Sequence, residues 1–347
     1  MITRRDCLQQ GGLAAAALAV SGCAPLTRGL SQPEPCQGWA GDAGDLRKDA
    51  PAEAVLRRIV NRTSFGPRPG ELKRIREMGV DAYLEEQLHP ERLEESPAVA
   101  WRLWPLDTLQ VDTDFRFEFP KEQVQAELQQ AAVIRAVYSR RQLQEVMIDF
   151  WSDHFNVSQL KGDSAFLKTA EDDAVIRRHA LGKFRDLLQA SAKSPAMLHY
   201  LDNARNTQSA VNENYGRELM ELHTLGLHGG YTQQDVQEVA RCFTGWSIQN
   251  ENTWWHGEFV YRPEQHDDGA RRVLGVALPA GLGQKHGERV LEILADHPST
   301  ARFIARKLCR RFVADDGSIP GALGCIGFRK GTGLIGVLCV FVVQLLR

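Results

Sequence analysis

The stretch KEQVQAELQQAAVIRAVYSRRQLQEVMIDFWSDHFNV, residues 121–157, decides the fold. Its apolar positions Val124, Leu128, Val133, Ile134, Val137, Leu143, Met147, Phe150 and Trp151, together with His154, recur at the three- and four-residue steps that line one helix face. Two successive long helices are the expected result. The pattern extends outward in both directions. Ala54, Val55, Ile59 and Val60 mark a short helix upstream, and Leu72, Ile75, Met78, Tyr83 and Leu84 carry another to Leu88. Downstream, helices are predicted over 166–192, 213–226, 233–246, 286–296 and 299–314. Thr232 stands three residues before Asp235, the spacing of an N-capping box, and follows a break at Gly229-Gly230. Pro298-Ser299-Thr300 opens the last helix. One region departs from helical spacing: Trp254 to Tyr261, then Asp267-Asp268-Gly269 and Arg272-Val273-Leu274, alternates and turns like a hairpin. The fold class that follows is mainly α, a multi-helix single domain over 53–316 with a small β-hairpin insertion near 254–275.

Composition narrows the function. The 347 residues can bury a large core, and 43% hydrophobic with 25% charged residues is an ordinary globular balance. Basic residues number 42 against 44 acidic, a net charge of −2, so no basic excess exists to neutralise phosphates and nucleic-acid binding is not expected. The seven cysteines form no paired, zinc-type or haem spacing. Cys242 and Cys309 lie in helical, apolar contexts where a buried thiol is expected. No phosphate loop, dinucleotide fingerprint, nucleophile elbow or internal repeat is present, and neither Ser158 nor Ser194 sits beside a convincing base.

The N-terminus reads as an export signal over 1–22. Arg4 and Arg5 precede a short apolar run from Gly11 to Val20, too short to span a bilayer. Val20-Ser21-Gly22-Cys23 has the layout of a bacterial lipobox, which makes Cys23 the expected lipidation site; a plain signal cleaved near Gly22 is the alternative. Thr3-Arg4-Arg5-Asp6-Cys7-Leu8 partly matches a twin-arginine signal, against a generic basic start. Residues 23–52, which carry Pro, Gly and Ser and few large apolar groups, read as a flexible tether from the anchor. Localisation is therefore exported, periplasmic or outer-surface, held at a membrane by the lipid. The tail, 317–347, contains no acidic residue, and Leu334 to Leu346 is nearly all apolar. A frameshifted or truncated C-terminus is expected there, with a genuine docking helix as the other reading.

Two clusters carry the candidate chemistry. In the first, Glu145 to Ser158, Met147, Trp151 and His154 share an apolar helix face while Asp149 and Asp153 share another. In the second, Asn212 to Thr224, helical geometry groups Asn214, Arg217, Glu218 and Glu221 apart from Tyr215, Leu219, Leu222 and His223. His154, His223, Glu218 and Glu221 are the candidate catalytic residues, because histidine and carboxylate both bind divalent cations and move protons near neutral pH. Asp149, Asp202, Asn212, Asn214, Arg217 and His266 would support them. A divalent metal is the cofactor such side chains could take; its identity is not written in the spacing, which matches neither di-iron nor zincin helices. The structural alternative is that Arg217 pairs with Glu213 and Glu221, that the histidines bond inside the core, that Asp202 caps a helix and that His266-Asp267-Asp268-Gly269 is only a turn.

The same residues carry a resemblance. PheTrpSerAspHisPheAsnValSer (150–158), MetLeuHisTyrLeuAspAsn (197–203), AsnGluAsnTyrGlyArgGluLeuMetGluLeuHisThrLeuGly (212–226) and GlyGlyTyrThrGlnGlnAspValGlnGluValAlaArg (229–241) resemble the bacterial domain of unknown function 1800 (DUF1800). HisAspAspGly with ValLeuGly, and HisProSerThrAlaArgPheIleAlaArgLysLeu, extend the likeness over roughly 53–316. The resemblance implies an exported, mainly helical protein, often with a twin-arginine-like signal and encoded beside an exported sulfatase-like partner. It supplies no activity or catalytic residues. Two function classes follow: a metal-dependent or acid–base hydrolase of the cell envelope, or a non-catalytic helical scaffold or partner-binding protein.

Overall fold

The computed structural model describes residues 53–249 and 257–313; the signal, Cys23, the tether, the pair Trp254-Trp255 and the 317–347 tail lie outside the described residues. The chain is mainly α, with two small antiparallel ribbons. Its helices are α1 Glu53–Thr63, α2 Glu71–Met78, α3 Val80–Leu88, α4 Pro97–Leu103, α5 Thr113–Arg116, α6 Lys121–Tyr138, α7 Gln142–His154, α8 Ser164–Glu171, α9 Phe184–Ala192, α10 Pro195–Tyr200, α11 Asn214–Glu218, α12 Gln233–Cys242, α13 Lys285–Ala295 and α14 Pro298–Phe312. The strands are β1 Trp246–Ile248, β2 Phe259–Tyr261, β3 Arg271–Val273 and β4 Val276–Leu278. Among the described residues no helix is long and apolar enough to cross a membrane.

Residues 121–157 form the two helices expected of them, α6 and α7. The α7 face of Val146, Met147 and Trp151 is buried at the centre of the main core, against Phe155, Phe184, Leu187 and Leu219. The Trp151 indole N–H donates to the Ala180 carbonyl at 3.0 Å, so this buried ring leaves no orphaned donor. A smaller cluster, Leu56, Ile59, Val60, Ile75, Tyr83 and Leu84, joins α1 to α2 and α3. The helical pattern that ran unbroken from Leu72 to Leu88 is split at Gly79, whose φ of +90° suits glycine alone. The Thr232–Asp235 capping box is present at α12 in both directions.

Two stretches expected as plain α-helix turn out otherwise. α8 continues as a π-helix over Asp172–Arg177, and α11 continues as one over Leu219–Thr224. In the second, Leu225 N–H reaches back five residues to the Met220 carbonyl at 2.8 Å, and Thr224 Oγ1 donates to the Leu219 carbonyl at 2.7 Å. The wider turn changes which side chains face inward. Leu222, placed with the apolar face by a regular helical wheel, is 50% exposed, while His223 is buried.

The strand region also differs in detail from one hairpin near 254–275. Helix α12 stops at Cys242 because Gly245 must adopt φ +77°, where a Cβ would stand 2.5 Å from the Arg262 carbonyl. Trp246, expected to end a helix, instead opens the extended strand Trp246–Ile248, which pairs with β2 in the register Trp246↔Tyr261. Arg271–Val273 pairs separately with Val276–Leu278. Leu274 and Gly275 both have positive φ, the pattern of a two-residue turn between twisted strands. Leu274 N–H donates to Asp235 Oδ1 at 2.8 Å, tying this ribbon to the start of α12.

Candidate metal centre

His154 and His223 do meet, from α7 and the π-helix after α11, with ring centroids 6.1 Å apart. Both are buried among Phe155, Phe184, Phe303 and Trp151. Their hydrogen bonds define what they do. His154 Nε2 lies 3.0 Å from the His223 carbonyl, which only accepts, so Nε2 carries the proton. The other nitrogen, Nδ1, accepts from Lys307 Nζ at 2.9 Å. Both ring positions of His154 are thus occupied by the protein itself. Burial, then the Lys307 charge, holds His154 well below the usual imidazole range and His223 down to about 3. Burial also lowers the Lys307 ammonium, partly offset by Asp153.

A pH dependence follows. A histidine whose folded value lies below its unfolded value near 6.5 binds fewer protons in the folded state, so its stabilising neutral form is fully kept above that pH and lost progressively below it. Urea unfolding is expected to show stability falling from about pH 6.5 towards pH 4, by up to ~1.4 kcal/mol per unit for each histidine. His223→Leu should flatten part of that slope; the same slope in the variant would remove this account.

The other residues singled out from the sequence do not join these two rings. Glu218 and Glu221 form no hydrogen bond to either histidine among the described residues; Glu221 accepts from the Tyr231 hydroxyl at 3.5 Å. Burial and the neighbouring Glu221 charge raise the Glu218 carboxyl. Arg217 pairs with Glu213 at 2.9 Å. Asp149 is exposed, and Asp202, in the left-handed region at φ +60°, pairs with Lys161 at 2.8 Å. Asn212 Oδ1 accepts from Asn214 N–H at 2.9 Å, and Asn214 Nδ2 donates to the Leu201 carbonyl at 3.2 Å. Burial pushes the Cys242 thiol up to about 12 and the Cys309 thiol up to about 11, so neither is a ready thiolate.

His266, placed by sequence only as a supporting group, is the one that opens a different site. Among the described residues, His266, Asp268 and His286 form the only set of three potential metal ligands with ligand atoms all within 4.8 Å of one another. His266 leaves the turn after β2, Asp268 follows in the loop, and His286 sits in the first turn of α13. Both imidazoles are buried, whereas the Asp268 side chain is 52% exposed. The centre therefore has two interior donors and one at the solvent boundary.

Backbone carbonyls set the tautomers. His266 Nδ1 is 2.8 Å from the Thr244 carbonyl, which requires the proton on Nδ1. The Thr244 hydroxyl is engaged by donating to the Arg241 carbonyl at 2.7 Å and accepting from Asp267 N–H at 2.9 Å. His286 Nε2 likewise donates to the Pro279 carbonyl at 2.9 Å. What remains on each neutral ring is a lone pair, on His266 Nε2 and His286 Nδ1, and these two nitrogens face each other at 3.0 Å. Asp268 Oδ1 stands 3.5 Å from the second and 3.9 Å from the first. Burial lowers the His286 imidazole, with the Pro279 hydrogen bond and the Asp268 charge acting the other way. Three donor atoms around a tetrahedral zinc-type ion, at bonds of about 2.0–2.1 Å, stand roughly 3.3 Å apart. The observed triangle is close to that, and each histidine gives its remote N–H to a carbonyl, the usual outer support of a metal-bound imidazole.

The loop around the trio is rigidly built. Asp267 receives hydrogen bonds from Arg241 at 2.7 Å, from Gly269 N–H at 3.1 Å and from the buried Arg271. Against the upward push of burial these donors hold its carboxyl down to about 2. Asp268 Oδ1 is held by Gly283 N–H at 2.8 Å. Sequence reasoning named Asp268 only as part of a turn and did not single out His286, which stands alone in a helical pattern 20 residues from His266. Nothing in the spacing marks the pair.

The family profile described as "Protein of unknown function (DUF1800)" matches residues 58–323, most of the chain and all three members of the trio. The chain belongs to that family. Neither a curated protein nor a solved structure matches it.

Proposed function

We propose that this chain is an exported, lipid-anchored envelope protein whose helical domain is a metal-dependent hydrolase, with a zinc-type divalent ion at His266, Asp268 and His286. One observation carries the metal: two imidazole lone pairs, each forced inward by a carbonyl on the far side of its ring, meet at 3.0 Å beside a carboxylate. Such an arrangement is electrostatically unfavourable unless a cation shares it. Two nitrogens and one carboxylate suit zinc or a neighbouring transition metal better than calcium or magnesium, which favour all-oxygen shells. Three protein ligands with one at the solvent boundary leave a coordination position open, the difference between catalytic and closed structural zinc sites. An ion held so acidifies a bound water to near neutrality and polarises a carbonyl or phosphoryl oxygen. Export and anchoring at Cys23 rest on the signal and lipobox residues.

Metal content tests the reading. The full chain, stripped with a chelator and titrated with zinc, is expected to take up one equivalent and unfold at a higher temperature, and to hydrolyse an ester or phosphate in a panel only when loaded. A stripped chain that takes up no zinc overturns the metal. Zinc uptake with no position open to an added ligand turns the centre into a structural staple and removes the hydrolase.

A further inference from the structure

We propose that Tyr261 completes this centre: its phenol hydroxyl donates a hydrogen bond to the oxygen ligand that occupies the open coordination position, selecting a carboxylate, carbonyl or phosphoryl oxygen there. The inference rests on the metal reading above and adds to it a residue and a ligand class.

Tyr261 ends β2, where its pairing with Trp246 fixes the direction of the strand. Its ring stands edge-on to His266, centroids 5.6 Å apart at 65°. The hydroxyl end is located by Gly283, where a Cβ would lie 3.3 Å from Tyr261 Oη. Gly283 is also the residue whose N–H holds Asp268 Oδ1 at 2.8 Å. The phenol oxygen and the third metal ligand therefore border the same glycine, on the side of the trio that solvent reaches. Gly283 has φ +55° and no side chain, so it places no Cβ against the hydroxyl.

The chemistry of the hydroxyl agrees with a donor role. No hydrogen-bond acceptor among the described residues takes its proton, whereas the other tyrosine hydroxyls near polar groups, Tyr83 with Thr63 and Tyr231 with Glu221, are paired. A phenol is protonated at neutral pH and can donate. A half-buried O–H held beside a cation site can satisfy itself only with water or with whatever the ion binds. An oxygen bearing negative charge accepts such a bond most strongly, and nitrogen or sulfur ligands gain less from it. The opening is thus polarised from two sides, by the ion and by the hydroxyl, which is the arrangement that stabilises charge developing on an oxygen.

Cobalt(II) substitution gives a readout independent of any substrate. The full chain loaded with cobalt is titrated with acetate while its visible spectrum is followed, alongside Tyr261→Phe. Loss of one charge-assisted hydrogen bond should weaken acetate binding about tenfold or more, with cobalt affinity unchanged. Gly283→Ala, which crowds the hydroxyl, should act in the same direction. Equal acetate affinity in wild type and Tyr261→Phe overturns the role of Tyr261 and leaves the metal centre standing. Loss of cobalt binding in Tyr261→Phe overturns it too, because the residue would then be a ligand to the ion. A wild-type chain that binds no cobalt removes both the centre and this inference.

Discussion

Replacing His286 by alanine is expected to weaken zinc binding by more than roughly 100-fold, since loss of an outer-shell partner alone typically costs 10–100-fold and His286 supplies a direct donor. The ring is fully buried, with one nitrogen toward His266 and the other donating to Pro279. His266→Ala should behave alike. Both variants also leave a backbone carbonyl without its donor, so a loss of zinc in them does not by itself separate a lost ligand from a lost fold. Asp268→Ala separates the two effects, because that side chain is half exposed and its removal leaves the ring hydrogen bonds intact. Its zinc affinity should fall while its unfolding midpoint without metal stays near wild type. The wild-type chain should gain about 2.7 kcal/mol of apparent stability at a free zinc concentration 100 times the dissociation constant, and the histidine variants none. Isothermal titration and thermal melts with and without zinc check this; undiminished zinc affinity in His286→Ala would sink the centre as described.

Arg177→Ala is expected to destabilise the fold by about 3–5 kcal/mol, the range for removing one partner of a buried ion pair. Arg177 closes the π-helix after α8 and faces two carboxylates at once. It donates to both Glu145 oxygens at 2.9 and 3.0 Å, a bidentate pair across to α7, and its Nε donates to Asp172 at 2.8 Å. All three side chains are no more than 16% exposed, and burial of the guanidinium is outweighed by these partners, which raise it. Without Arg177, Glu145 remains in the interior uncompensated, on the helix that carries Trp151. Glu145→Gln in the same background should recover part of the loss, because the amide bears no charge to strand. Urea unfolding reads the difference. A change under about 1 kcal/mol for Arg177→Ala would show that solvent reaches this triad.

Legibility from sequence followed the range of the forces involved. Helices α1, α6, α7, α12 and α14 were readable because their apolar residues repeat at the helical step and their ends carry local signals, such as the Thr232–Asp235 box and Pro298. The two π-helices were not readable, since an extra residue in one turn is stabilised by contacts from elsewhere, among them Glu145 on Arg177 and His154 on the His223 carbonyl. That is why Leu222, grouped with the inward face, is instead half exposed while His223 stays buried. The two clusters were expected to draw His154, His223, Glu218 and Glu221 around one site; the two rings lie side by side, without the carboxylates. Their ring nitrogens meet a carbonyl and Lys307, a residue 153 positions from His154.

Local order was therefore determined by the chain's own alphabet: a mainly α domain, where most helices begin and end, and the apolar faces that carry His154 and His223, since periodicity and capping act over one or two turns. Tertiary structure alone decided where a cation fits. His266 and His286 become a pair only because Gly245 lies close against the Arg262 carbonyl, β2 returns the chain to Thr244, and the Pro279 carbonyl turns the second ring inward. Those are backbone positions far apart in sequence, and side-chain spacing carries no record of where carbonyls will point once the core has packed.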